Sequence, residues 1–244
     1  MSISNRQNSI LEILNERHYI TVEELAKITF TSPSSIRRDL TYLQNNGLVK
    51  RSHGGVTLPE PIKGVASFHD RIQKNIREKR LIAKKAATLL RDGQSILLDG
   101  SSTASFMLPF IAKLVSPTLF TNNLTTALNA IELGIETHCI GGHSLNGSAV
   151  LTGPEAYRFL EEVHTDILFF SSQCVDIEGN ISDSVQEETY VRQRMLKAAK
   201  TKVFLCDSEK FGKTALYRLA SMDEVDFAVF DRDFDGLDAK CNVL

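Results

Sequence analysis

Residues 33 to 43 read Pro33-Ser34-Ser35-Ile36-Arg37-Arg38-Asp39-Leu40-Thr41-Tyr42-Leu43. At about 100° per residue, Ile36, Leu40 and Leu43 share one face of a helix. Ser34, Arg38 and Thr41 fall on the opposite face, and Arg37, Ser35 and Tyr42 flank it. One side packs and the other is free to touch a partner. Ser32 suits the N-cap and Pro33 the first helical position, so the spacing predicts a helix that starts there with its first turn facing outward. Helix-turn-helix proteins place such a turn in the major groove of DNA.

The flanking residues supply the rest of a small core. Asn5 to Arg17 carries Ile10, Leu11 and Leu14 at helical spacing, and Val22, Leu25 and Ile28 repeat the pattern after Thr21. Thr21 with Glu24 matches a capping box, which marks a helix start and nothing more. Three short helices, each with one apolar face, can close on one another. Asn46-Gly47 then reads as a C-cap. Leu48 to Arg51, Ser52-His53-Gly54-Gly55 and Val56 to Leu58 follow as strand, glycine turn and strand. A wing of this kind would set Lys50, Arg51 and His53 beside the phosphate backbone, where cations add sequence-independent affinity.

The Ser35-Ile36-Arg37-Arg38-Asp39-Leu40 run, with Leu43, Gly47 and Arg51-Ser52-His53-Gly54-Gly55, resembles the N-terminal winged helix of the DeoR family of bacterial transcription regulators. The Arg-Arg-Asp-Leu helix and the His-Gly-Gly wing occur together at the expected separation, a more specific match than a generic helix-turn-helix pattern. The candidate DNA contacts are Ser34, Ser35, Arg37, Arg38, Tyr42, Lys50, Arg51 and His53. The plain alternative is that the two arginines are solvated helix charges and the glycines an ordinary hairpin turn.

Composition sets looser bounds. A chain of 244 residues with 42% hydrophobic content is expected to form a globular protein of about two domains. It has no apolar run long enough to span a bilayer, and Met1 to Arg6 lack a signal peptide's apolar stretch, so a cytoplasmic location without membrane association is expected. Cys139, Cys174, Cys206 and Cys241 are far apart, without paired metal-ligand spacing. They are read as free thiols, with Cys139 and Cys206 buried in apolar runs. The six histidines are dispersed as well, so neither a metal nor a cofactor is expected. Net charge is −2, and residues 1–60 carry only +1, which is not the profile of a nonspecific nucleic-acid binder. Four of the seven cations in that stretch nevertheless gather between Arg37 and Arg51, and local clustering matters more for docking.

Pro59-Glu60-Pro61 and Gly64 mark a linker. The expected domains are residues 1–58 for DNA binding, 59–75 for the linker and the start of a connecting helix, and 76–244 for effector sensing and oligomerisation. Asp70 to Arg91 reads as one long helix whose run Lys74, Arg77, Lys79, Arg80, Lys84 and Lys85 forms a solvated face, with a supplementary DNA contact as the alternative. Beyond it, strands are expected at Ser95 to Leu98, Thr118 to Thr121, Thr137 to Ile140, Ile167 to Phe170, Lys202 to Cys206 and Phe227 to Phe230. Helices are expected at Ala104 to Leu114, Leu124 to Leu133, Pro154 to Val163 and Gln186 to Lys200. The alternation implies an α/β fold with a doubly wound, mostly parallel sheet, in which ligands bind outside the carboxyl ends of the strands.

Those strand ends are polar: Asp99-Gly100-Ser101-Ser102-Thr103, Thr121-Asn122-Asn123, Gly141-Gly142, Ser171-Ser172-Gln173 and Asp207-Ser208-Glu209-Lys210-Phe211-Gly212. Each alone is an ordinary turn or cap. Together at one edge they offer hydroxyls and N–H groups for a phosphate, carboxylates and amides for sugar hydroxyls, and Lys210 as a positive charge. These segments, with Gly153 and the Glu187-Glu188 pair, are similar to the DeoR-type sensor domain, which is related in fold to sugar-phosphate isomerases. The resemblance implies a phosphorylated sugar effector, met by Asp99, Ser101, Ser102, Thr103, Asn122, Gly141, Gly142, Glu187, Asp207 and Lys210. Two positions depart from the family pattern: Ser101 and Cys174 stand where glycine is common.

The expected function is that of a homo-oligomer, a dimer or a tetramer, which reads double-stranded operator DNA and represses a carbohydrate operon until the effector binds. Two other readings are open. An isomerase-like enzyme would use Asp99, Glu187 or Asp207 as base with Lys210 beside it, and a purely structural domain would bind no ligand.

Overall fold

The computed structural model describes residues 5–17, 19–45, 48–52, 55–57, 68–145, 148–237 and 240–244. Asn46-Gly47, His53-Gly54, Leu58 and the Pro59-Glu60-Pro61 and Gly64 stretch lie outside the described residues. The chain divides into two compact units, Met1–Val65 and Ala66–Leu244.

The first unit runs α1 (Asn5–Arg17), β1 (Tyr19–Thr21), α2 (Val22–Ile28), α3 (Pro33–Asn45), β2 (Lys50–Ser52) and β3 (Gly55–Thr57). Ile10, Leu14, Leu25, Ile36, Leu40 and Leu43 are fully buried together, so the apolar stripes of the three helices meet as their spacing requires. Thr21 and Glu24 form the capping box at the start of α2. The three strands pair antiparallel in the order β1-β3-β2. β1 was invisible to the sequence pattern, because three residues are too short a run to show alternation. Phe30 closes the turn between α2 and α3 with φ of +51° and is 97% exposed.

The second unit opens with α4 (Phe68–Gln73) and α5 (Ile76–Ala86), followed by β4 (Ser95–Leu98), α6 (Ser102–Ser105), α7 (Leu108–Ile111), β5 (Thr118–Thr121), α8 (Leu124–Glu132) and β6 (Glu136–Cys139). A hairpin, β7 (His143–Ser144) and β8 (Leu151–Thr152), leads to α9 (Pro154–Glu161) and β9 (Thr165–Phe170). Then come β10 (Cys174–Val175), β11 (Asn180–Asp183), α10 (Gln186–Ala198), β12 (Ala199–Cys206), β13 (Tyr217–Ser221), β14 (Phe227–Phe230) and β15 (Asn242–Val243). Among the described residues the main sheet has seven strands in the order β15-β14-β12-β9-β4-β5-β6, all parallel. Consecutive residues point to opposite faces. Leu97, Phe170, Phe204 and Phe230 pack on α9 and α10, while Leu98, Phe169, Leu205 and Val229 pack on α5, α7 and α8. Each fully buried phenylalanine contributes about 1.5–3 kcal/mol by leaving water. From β4 the chain winds outward through β5 and β6, and from β9 it winds the other way. The order therefore reverses between β4 and β9, the place where open α/β sheets hold ligands.

Several expectations need correction. The predicted helix from Asp70 to Arg91 breaks at Lys74 and Asn75, where Asn75 adopts a left-handed conformation with φ of +54°. The Ala104 to Leu114 stretch forms two short helices, with Pro109 in the first turn of the second. Cys206 is buried, but Cys139 is exposed, because β6 is an edge strand that lacks a second neighbour among the described residues. Lys79 and Lys85 leave the expected solvated face: Lys79 is buried, and Lys85 donates to the carbonyls of Phe230 and Leu244. A small antiparallel sheet, β10-β11-β13, and the β7-β8 hairpin add strands too short to announce themselves.

Candidate functional site

In the first unit α3 presents Ser34, Arg37, Arg38 and Thr41 to solvent, with Ser35 and Tyr42 half-buried at the flanks. The Ser32 hydroxyl accepts the Ser35 N–H at 3.3 Å, which fixes the first turn. Arg38 makes no hydrogen bond or ion pair among the described residues, whereas Arg37 reaches Glu23 at 3.4 Å. Arg51 extends from β2 to within 3.5 Å of the Thr41 hydroxyl, so helix and wing present their cations side by side; Lys50 is also exposed. His53 lies outside the described residues. Asp39, mid-helix, is turned inward: its carboxylate accepts Nε–H of Arg6 at 2.5 Å and the amide of Gln7 at 3.1 Å, which ties α3 to α1. This clamp was missed in the sequence because its partner lies 33 residues away.

In the second unit a cavity of about 240 Å³ opens at the carboxyl ends of β4, β9 and β12. Its walls come from the α4–α5 junction (Arg71, Lys74, Asn75, Lys79), the loop after β4 (Ser101, Ser102, Thr103), the loop after β9 (Ser171, Ser172, Gln173), Asp183, α10 (Glu188, Arg192) and the loop after β12 (Asp207, Glu209, Lys210, Lys213). Six cations face four carboxylates there, an excess of two positive charges, of which Asp99 behind Arg192 offsets one.

The charges are arranged in two groups. Arg192 donates to Asp99 at 2.7 Å, to Asp183 at 3.0 Å and to Glu188 at 3.0 Å. Burial works against its cation, yet the three carboxylates outweigh that and hold it above the usual guanidinium range. Burial also pushes the Asp183 carboxyl up, against the pull of Arg192. In the second group Lys210 donates to the Ser171 hydroxyl at 2.8 Å and lies 3.2 Å from Asp207, whose other oxygen accepts the Asn75 amide at 3.0 Å. Burial raises the Asp207 carboxyl, but Lys210, Asn75 and Lys79 together hold it below the ordinary range. The Lys79 ammonium donates to the carbonyls of Arg71 and Lys74 and to the Ser102 hydroxyl, the last two at 2.7 and 3.1 Å. Burial, with Lys210 close by, lowers its pKa to about 8. Cations that are buried and repel one another make an anion the complementary guest.

Of the residues expected to meet an effector, Ser101, Ser102, Thr103, Asp207 and Lys210 line this cavity together. Asp99, Asn122, Gly141, Gly142 and Glu187 do not. Asp99 is fully buried beneath it, accepting from Arg192, from the N–H and hydroxyl of Ser101 and from the Ser171 N–H. Asn122 donates to the Leu151 carbonyl, and a side chain at Gly142 would meet the Thr152 carbonyl oxygen at 2.4 Å, so that glycine permits a close backbone approach. Glu188, one residue on from Glu187, faces the cavity. Arg71, Lys79 and Arg192 also line the cavity although helical cations look solvated in sequence, and Asp183 joins them from the end of the short strand β11, where nothing local marks its partner.

Residues 6–61 match the DeoR-like helix-turn-helix domain, and residues 74–232 match the DeoR C-terminal sensor domain. The chain belongs to the DeoR family. This DeoR-family regulator is 33% identical to the HTH-type transcriptional regulator GolR of Listeria innocua over 93% of the chain and 89% of GolR. It is 30% identical to the HTH-type transcriptional repressor GlcR of Bacillus subtilis over 92% of the chain and 86% of GlcR. The chain is also similar to ribose 5-phosphate isomerase A of Methanocaldococcus jannaschii, with a TM-score of 0.42, 19% identity and coverage of 57% and 55% of the two chains. No helix among the described residues is long and apolar enough to cross a membrane.

Proposed function

We propose that this DeoR-family protein is a cytoplasmic repressor of a carbohydrate operon whose hold on operator DNA is loosened by a phosphorylated sugar bound in the second unit. The observation that carries the reading is the excess of one to two positive charges in the cavity at the β4–β9 switch point. A phosphomonoester carries about −1.5 to −2 at neutral pH, so one such group balances it. Ser102, Thr103, Lys79 and Lys210 would hold the phosphate, and Glu188 and Asp183 would accept sugar hydroxyls. On the DNA side Arg38, Ser34 and Ser35 would read base edges, while Arg37, Lys50, Arg51 and His53 would meet phosphates and Tyr42 would support the helix. A dimer or tetramer would present two or more such helices to a repeated operator. Residues 59–75 would serve as the connection between a reading domain and a sensing, oligomerising one.

The reading makes the pocket a sensor without turnover. Each carboxylate lining it is held by a cation: Asp183 and Glu188 by Arg192, Asp207 by Lys210 and Glu209 by Lys74. The relatives that match along the chain are regulators by name, which supports that reading. The repressor sense is supported by the likeness to GlcR.

The test is a thermal-shift screen against phosphorylated sugars, with each hit titrated into an anisotropy assay on DNA from the protein's own promoter. The effector raises the melting temperature and weakens promoter binding, and promoter DNA weakens effector binding by the same factor. A stabilising sugar phosphate that tightens promoter binding would reverse the sign of control, and one that is consumed would make the protein an enzyme.

A further inference from the structure

The two helices that open the second unit are held by different means. α5 buries Ile82, Ala83 and Ala86 in the apolar core. α4 has only Phe68 buried and is fastened at its carboxyl end by polar groups of the cavity. The Lys79 ammonium joins the Arg71 and Lys74 carbonyls to the Ser102 hydroxyl, Lys74 pairs with Glu209 at 2.5 Å, and Asn75 bonds Asp207. Two features of this fastening are incomplete. Arg71 lines the cavity with a buried Nε–H that has no acceptor among the described residues, and burial lowers its pKa against the favourable pull of Glu188, with Arg192 adding to the lowering. Lys79 is buried, spends its three donors on neutral oxygens and has no carboxylate partner among the described residues. Among the described residues, neither cation has a carboxylate in direct contact.

We propose that Arg71 and Lys79 are the residues through which an anion in the cavity secures α4, so that ligand occupancy fixes the first helix after the linker. The anion supplies the acceptor that Arg71 Nε lacks and the counter-charge that Lys79 lacks. α4 then becomes part of the ligand's binding site, and it is the first helix that follows the DNA-reading unit along the chain. This rests on the reading of the cavity as an anion site and adds the route by which occupancy leaves it.

The test is hydrogen exchange of the full chain, with and without saturating inorganic phosphate, beside a thermal-shift titration of the same samples. Phosphate should raise the melting temperature and slow exchange across residues 68–75 by roughly tenfold, the worth of one charge-assisted hydrogen bond, with α5 unchanged. In Arg71→Met, phosphate should still raise the melting temperature and protect the loops after β4 and β12 while exchange at 68–75 stays fast; Lys79→Met should weaken phosphate binding as well. A higher melting temperature with no slowing at 68–75 in the unaltered protein overturns the role of α4 and leaves the anion site standing. No rise in melting temperature and no protection anywhere overturns both.

Discussion

Asp99 and Arg192, 93 residues apart in sequence, are joined by a 2.7 Å hydrogen bond between two side chains that are almost completely buried. The acid at the end of β4 thus positions the floor of the cavity, and α10 is bound to the switch point by its central arginine. Replacing Arg192 with Met should leave Asp99, Asp183 and Glu188 facing one another without their shared cation. A loss of about 3–5 kcal/mol is expected at neutral pH, in line with other broken buried pairs. Burial already pushes the Asp183 carboxyl up, and without Arg192 to oppose that it would take a proton more readily, so the deficit should shrink as pH falls. Denaturant titrations at two pH values check this, and a loss below about 1 kcal/mol would show that the cluster contributes little net stability.

Asp39 is the corresponding hinge of the first unit. Asp39→Ala removes the bonds to Arg6 and Gln7 that orient the reading helix on α1. Arg6 is half exposed, so the expected cost in stability is modest. Operator affinity should fall by more than this stability change accounts for, because the helix loses its bearing. Paired melting and anisotropy measurements separate the two effects.

Arg38 and Arg37 should behave differently. Arg38→Ala is expected to weaken operator binding by about 1–3 kcal/mol and to relax preference at one base pair. Arg37→Ala should weaken binding to all sequences alike and lower the salt dependence. Competition against operators with single-base changes distinguishes them, and an equal loss on every sequence for Arg38→Ala would assign that side chain to a phosphate.

Anion binding in the cavity should depend on pH through Lys79. The group is faced by Arg71, Lys74 and Lys210, which disfavour its charge, and by Asp207, which favours it. With a pKa of about 8 in the ligand-free protein, Lys79 is charged below that value, so affinity should be full there and should fall as pH rises through it. A sugar phosphate loses half its second charge near pH 6, so affinity should also decline toward acid and pass through a maximum between the two. Lys79→Met should remove the alkaline limb and keep the acid one, as calorimetric titrations across pH can establish.

The reading helix was legible because the stripe of Ile36, Leu40 and Leu43 is a local pattern, and burial follows it residue for residue. The core strands were legible because unbroken apolar runs such as Ile167 to Phe170 suit a sheet covered on both faces. The cavity was legible only along its loops. Ser101 to Thr103 and Asp207 to Lys210 stand at strand ends, which the topology brings together. Arg71, Lys79 and Arg192 sit within or beside helices, where a cation reads as solvated unless its distant partners are known. Gly142 and Asn122 stand at strand ends without lining the cavity, since glycine and asparagine there serve backbone packing as readily as binding.

The turn between α2 and α3 carries an aromatic ring, Phe30, in full contact with solvent and in a backbone conformation that already tolerates its bulk. The chain contains no tryptophan. Phe30→Trp would therefore install a single tryptophan beside the reading helix, excitable at wavelengths where the five tyrosines do not absorb, making its encounters with DNA visible by emission and anisotropy without any chemical label.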